Sequence, residues 1–466
     1  MFPDFTILQN VNKPTNVTMI SGPISYTRFK IFHLNTLIKE IEIFGDAHYS
    51  EKGNCTEQGE SCIYVDRTGL IVDNNDNDEV NCLDIPTYLG YAILDAHVNH
   101  KYTDIHIESK QQERGRHSYT MDEDDPIWDA GFLIKTETFL RSCGTSIDRN
   151  SLCRDSPNGE RNWARVHSND IRNETMSGVF NTKLAESLYI SKFRLDRDVK
   201  KRAIKVLTYL RDHLHEFITA FTKENLGEEI RNIFLPFYDD MYPNISEKEQ
   251  KELIKKNYPF IHIIMNEFGG YGSTFERKTF SRAEKGTLIL KKNDILTHRV
   301  GKTYSKVMKM REQYESDDIQ HIMISAYEKY VSHIQTLLTE ENIIEYMDTL
   351  LYDYKKVNIR TSNEKIDEVK KITNFIITRL FSHLFDIYSI GRLISYPESE
   401  RIIYFAGDSH SERLRTYITD YLIPEIDNSN VDYVIIRDIN ITINNNTDEL
   451  NRCMRIPTSR SSKRRR

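Results

Sequence analysis

Two short runs of the chain carry one phrase. Ile43–His48 reads IFGDAH and Phe405–His410 reads FAGDSH, so each apolar run ends in Gly-Asp-x-His. An imidazole titrates near neutral pH, so it can hold a metal or accept and return a proton. Gly45 and Gly407 would let a ligand come close to the backbone. A histidine delivered past the carboxyl end of a strand lies at the edge where open α/β sheets bind ligands. If both strands belong to one parallel sheet, His48 and His410 face one crevice.

Three further side chains join them. Glu108 ends the run YTDIHIES, where a parallel strand would carry it to the same edge. Asp170 and Arg172 lie in WARVHSNDIR. That carboxylate could orient a histidine or bind a metal, and the guanidinium could clamp an anion with two hydrogen bonds. The expected site is therefore His48, Glu108 and His410, holding a divalent metal or acting as base and acid. Asp170 and Arg172 support it, and Gly45 and Gly407 line it. His167 is expected to face away. His97, His100, His106 and His117 are irregularly spaced and rank below His48. Ser409 and Glu412 have capping-box spacing, which predicts Ser409 as the N-cap of a helix beginning at His410.

The elements that must position these residues can be read from periodicity. KEIEIFGDAH is a strand ending in a turn. TYLGYAILDAHVNH has helical spacing, YTDIHIES alternates as a strand, and AGFLIKTETFL is read as another strand. Strand, helix and strand in succession predict a parallel βαβ unit. DVKKRAIKVLTYLRDHLHEFITAF, ISAYEKYVSHIQTLL and VKKITNFIITRLFSHLF have apolar residues at helical steps. RIIYFAGDSH then restores a strand, followed by a helix and the strand VDYVIIRDINITI. The expectation is an α/β fold with a mainly parallel sheet. Residues 1–180 and 397–455 form its two parts, 181–396 are a helical insertion, and 456–466 are a basic disordered tail.

Composition bounds the rest. The chain has 466 residues, a net charge of −7, 39% hydrophobic and 29% charged residues, which suits a globular protein of two or three domains, or of one large domain with an insertion. Nucleic acid is not an expected partner, except through the tail TSRSSKRRR. No secretory signal or membrane-spanning run is visible, which predicts a cytoplasmic protein without membrane contact. The six cysteines match no zinc-ribbon spacing and contain no Cys-x-x-Cys, so in a reducing compartment they read as free thiols.

AGDSHS is similar to the nucleophile block of the GDSL/SGNH hydrolases, but no histidine follows His410 to activate Ser409. IFGDAH is similar to the first motif of calcineurin-like metallophosphatases, but the companion motifs are absent. The order strand–Gly-x-x-His, strand–Glu, late strand–Gly-x-x-His resembles the superfamily of erythromycin esterases, ChaN-like haem-binding proteins and TIKI/TraB proteins. The matching positions are Gly45 and His48, Glu108, and Gly407 and His410. Asp46 stands where the esterase-like members favour Glu. IFGDAHYSEKGNC, TDIHIE and RVHSNDIR further resemble uncharacterised proteins of large DNA viruses, with His167, Asp170 and Arg172 as a His-x-x-Asp-x-Arg motif. The resemblance implies a hydrolase of ester or peptide bonds, present in host cytoplasm or virion. Its alternatives are a haem- or ligand-binding protein without catalysis, or a virion or host-interaction protein.

Overall fold

In the computed structural model, the described residues are 17–33, 36–46, 55–56, 59–65, 71–73, 80–110, 132–140, 163–170, 197–216, 226–258, 261–262, 265, 298–337, 340–356, 383, 385–426, 431–437 and 453–456. His48, His117, Arg172, Cys143, Cys153 and the basic tail after Ile456 lie outside them, as does most of VKKITNFIITRLFSHLF. The chain divides into two compact units. The first comprises residues 1–170, 307–328 and 389–466; the second comprises 171–306 and 329–388. No described helix is long and apolar enough to cross a membrane.

The first unit is α/β and contains both sheets. Its strands are β1 (Met19–Ser21), β2 (Ser25–His33), β3 (Thr36–Asp46), β4 (Cys62–Val65), β5 (Ile71–Asp73), β6 (Cys82–Asp84), β7 (Thr103–Lys110), β8 (Ala164–Asp170), β9 (Arg401–Gly407), β10 (Val431–Arg437) and β11 (Cys453–Arg455). The larger sheet has the order β10-β2-β3-β9-β7-β8. Strands β3, β9, β7 and β8 are parallel, and β2 and β10 extend the sheet antiparallel. The smaller sheet has the order β11-β1-β6-β4-β5.

Alternation assigns the two faces of the larger sheet. Tyr26, Phe44, Ile105, Ile107, Ile403 and Phe405 pack in one cluster with Leu89, Ala92, Ile93 and Ala96 of helix α1 (Ile85–Val98). That helix starts where Asp84 accepts from the Thr87 amide, with Pro86 in its first turn. Both features suit an N-terminus, because one orphan amide is capped and proline lacks another. The same cluster holds Phe132, Leu133, Phe139 and Leu140 of α2 (Phe132–Leu140). AGFLIKTETFL, expected as a strand, is therefore a helix. Its buried residues recur at three- and four-residue steps, and this packing overrides the strand preference of its threonines and phenylalanines.

The second unit is helical among its described residues. Its helices include α3 (Arg197–Asp212), α4 (Leu226–Met241) and α5 (Glu247–Asn257). Tyr209 stacks near Phe234 and Phe237, and Ser246 and Glu249 make a full capping box at the start of α5. Helices α6 (His298–Arg311), α7 (Ile319–Leu337) and α8 (Glu340–Lys356) follow in the chain; residues 307–328 belong to the first unit.

The parallel pairing of β3 with β9 puts the two Gly-Asp turns side by side. Gly45 is opposite Ala406, and Asp46 is opposite Gly407. Helix α9 (Asp408–Thr416) leaves β9 directly and packs back on β3 and β9. Its N-cap is Gly407, with no side-chain cap, and Ser409 is exposed within the first turn. This corrects the expected cap at Ser409: the strand runs into the helix two residues earlier. Ser25 donates to Asp408, and Arg415 donates to both Ser25 and Thr27. A Cβ at Gly45 would collide with Asp408 Oδ1 and Ser25 Oγ and come within 3.1 Å of Asp408 Cα. Glycine at 45 thus serves the seating of α9. Gly45→Ala should cost about 1–3 kcal/mol, the usual range for overpacking, and denaturant unfolding would measure it.

Candidate functional site

The face of β7 and β8 opposite α1 is polar and buried. Along β7 it carries Asp104, His106 and Glu108; along β8 it carries Arg165, His167 and Asn169. Asp104 is opposite Arg165, and His106 is opposite His167. The register shifts between Ile107 and Lys110, so a bulge falls at Glu108. Bulges of this kind re-aim a side chain beside a site. Residues 389–399 of the same unit supply Arg392, Tyr396, Glu398 and Ser399 against this face.

At the carboxyl edge, Glu108 joins β7 to β9. Its Oε2 accepts from the Gly407 amide at 2.7 Å, and its Oε1 lies 3.8 Å from His410 Nε2. The Glu108 side chain is 2% exposed and that of His410 is 14% exposed. Arg413 Nη1 is 3.4 Å from His410 Nδ1. A guanidinium can only donate, so Nδ1 offers its lone pair there and Nε2 carries the proton facing Glu108.

Deeper on the same face the pattern recurs. Arg392 Nη2 donates to His167 Nδ1 at 3.0 Å, and His167 Nε2 is 2.8 Å from Asp104 Oδ1. His167 is therefore neutral, with its proton on Nε2. Asp104 also accepts two bonds from Arg165, at 2.6 and 2.7 Å, and one from Ser399. Burial alone would raise the Asp104 carboxyl; the His167 and Arg165 hydrogen bonds outweigh it and hold the group well below the usual carboxylate range.

His106 stacks on His167, and His167 stacks on Tyr396. His106 Nδ1 meets Asn169 Nδ2 at 3.3 Å, while His106 Nε2 and Asn169 Oδ1 have no hydrogen-bond partner among the described residues. Burial pushes both imidazoles below their ordinary value. The buried Lys39 amine lacks a hydrogen-bond partner among the described residues, and burial lowers it to about 8 against the pull of Asp104, Glu398 and Asp318.

Asp104, His106 and His167 could also be read as a metal-holding group, since one ligand atom from each lies within 4.8 Å of the others. Their hydrogen bonds argue for a network instead. The carboxylate is saturated, and His167 uses both nitrogens.

Of the residues singled out from sequence, Glu108 and His410 meet at one edge, and Gly407 gives its amide to Glu108. Gly45 and Asp46 end the neighbouring strand. His48 and Arg172 lie outside the described residues, and for Asp170 only the backbone at the end of β8 is described. His167, expected to face away, is on the Glu108 face, because it follows Arg165 and precedes Asn169 at two-residue steps. The same reason hid Asp104 and left His106 ranked below His48. The signal was present in TDIHIES, whose polar residues alternate with isoleucines. Helix α1 takes the isoleucine face, and residues 389–399 bury the polar one. No known protein family, curated protein or solved structure matches the chain.

A pH dependence follows. The folded state holds His106 and His167 neutral, while the unfolded chain protonates them below about pH 6.5. Stability is thus full above that pH and falls as the pH drops below it. Asp104 behaves differently: its contribution is lost only below about pH 3.9, as its folded-state carboxyl protonates. Urea unfolding of His106→Gln between pH 7 and 5 should show a shallower loss of stability than the parent, by up to about one proton's worth of slope.

Proposed function

We propose that the chain is a hydrolase of ester or peptide bonds that works by activating water at the Glu108–His410 pair. The observation that supports this reading is the placement of one buried carboxylate against one partly exposed imidazole at the carboxyl edge of a parallel sheet. Glu108, anchored by the Gly407 amide, orients His410 through Nε2–H and stabilises the imidazolium that forms. His410 Nδ1 takes the proton of the attacking water, after Arg413 swings from it. Arg413 then offers its charge to the developing oxyanion. Orienting carboxylate, base and cation are the parts that general-base hydrolysis needs. The resemblance to the erythromycin esterase superfamily points the same way.

A panel of p-nitrophenyl esters and fluorogenic peptides tests the reading on the purified chain. His410→Ala and Glu108→Gln should each lower kcat about 10²–10⁴-fold. The double variant should lose little more than either single one, because groups acting as a unit are not additive. Ser409→Ala should leave both activity and stability near parent values, since its side chain is exposed and caps nothing. Activity that survives His410→Ala but disappears in Ser409→Ala would replace this mechanism with a serine nucleophile.

A further inference from the structure

Four cysteines gather in the small sheet. Cys55 is bonded to Cys453, and Cys62 to Cys82, with Cα–Cα distances of 4.5 Å in each pair. No free cysteine occurs among the described residues, which corrects the expectation of free thiols. The cysteines come from four places in the chain. Cys62 and Cys82 are directly opposite each other on β4 and β6. Cys453 begins β11, on the far side of β1. Cys55 opens a turn closed by the Glu60 amide on its carbonyl and by Gly59, whose φ of 79° favours glycine. Met19 of β1 lies between them, with its sulfur 3.8 Å from that of Cys453. All four cysteines and Met19 form one buried cluster.

Two disulfides do not need to touch. Each needs only its own pair of Cα atoms at the right separation. Here the sulfurs of Cys55, Cys62 and Cys82 lie within 4.8 Å of one another, and that of Cys453 is bonded to Cys55. Three sulfurs gathered from separate elements, with a fourth bonded to one of them, are the raw material of a tetrahedral thiolate site. A metal–sulfur bond of about 2.3 Å sets neighbouring sulfurs about 3.8 Å apart. Breaking the two bonds frees the three close sulfurs to spread about one centre, and rotation about the Cα–Cβ bond of Cys453 would bring the fourth toward it.

We propose that Cys55, Cys62, Cys82 and Cys453, when reduced, form a structural tetrathiolate site for one zinc-type divalent cation. Reduction consumes four electrons and four protons from a thiol-class donor, two of each per disulfide, and yields four thiols. Binding then releases up to four protons as the cation forms four metal–thiolate bonds. The same sheet would be clamped by disulfides in an oxidising compartment and by a metal in a reducing one. Cobalt(II) is the probe, because tetrahedral thiolate coordination gives it strong visible bands and sulfur-to-metal charge transfer.

The full chain, reduced with a phosphine under argon, should bind one cobalt(II) with that spectrum and lose it to one equivalent of zinc. The oxidised chain should show neither, and its intact mass should be lower by four hydrogens. Cys82→Ser and Cys453→Ser should each weaken cobalt binding at least tenfold and change the spectrum. Because reduction could loosen the sheet, far-UV circular dichroism is followed with and without zinc. Zinc restoring lost ellipticity in the parent and not in Cys82→Ser supports the site. A folded, reduced chain that binds no cobalt overturns it. So does a reduced, unfolded chain that zinc does not restore, and so does a cobalt spectrum unchanged in Cys82→Ser.

Discussion

The buried Arg401 guanidinium ties β9 to β3. Its Nε and Nη2 both donate to Glu42 Oε2, at 2.9 and 2.7 Å, and Tyr26 and Tyr88 donate to the other oxygen. Burial alone would raise the Glu42 carboxyl; Arg401 and the two tyrosines reverse that and hold it lowered. Both Glu42 oxygens are hydrogen-bonded, and Arg401 Nη1 lies 3.6 Å from Asp95, so the buried charge is paired, which is the condition for it to be tolerated. The pair also fixes register. A slip of one residue would send Glu42 to the opposite face from Arg401. With that register, Asp46 is beside Gly407, α9 emerges over Gly45, and Glu108 reaches the Gly407 amide.

The face of β7 and β8 adds a second constraint. Three polar tiers replace the apolar layer that such strands usually present. Arg165, Arg392 and Tyr396 fill this space with stacked rings and guanidinium planes, and Asp104 is where their hydrogen bonds meet. Replacing such a network with apolar side chains is often neutral or stabilising. Such a network contributes orientation more than stability: it fixes the strand whose end carries Glu108.

Much of this was legible from residue order. The strands at Ile41 and Arg401, helix α1 and strand β7 follow from period and punctuation, and so does their parallel association. Other features were decided by tertiary context. FLIKTETFL has residues that favour strands and spacing that favours a helix, and packing chose the spacing. His167 was misassigned because a polar strand face reads as solvent-facing unless the covering segment is known. The pair Cys55–Cys453 was hidden because its members are 398 residues apart, and Cys62–Cys82 because a reducing compartment was inferred from the missing secretory signal. Strand β2, rich in alternating polar and aromatic residues, was overlooked beside the glycine turns that drew attention to β3.

The sheet order has a consequence for how the chain is made. Strand β9 is between β3 and β7, yet it begins at Arg401, far along the chain from Asp46 and Lys110 where those strands end. Until residues 401–407 leave the ribosome, the β2–β3 hairpin and the β7–β8 pair cannot be joined, and each presents an unpaired inner edge. Open edges of this sort invite pairing with other chains, and closing a sheet over so long a separation is slow. The growing polypeptide should therefore depend on chaperones until residues 401–407 have been made. A fragment ending before β9 would lack the strand that joins the two halves of the sheet, and would be prone to aggregate.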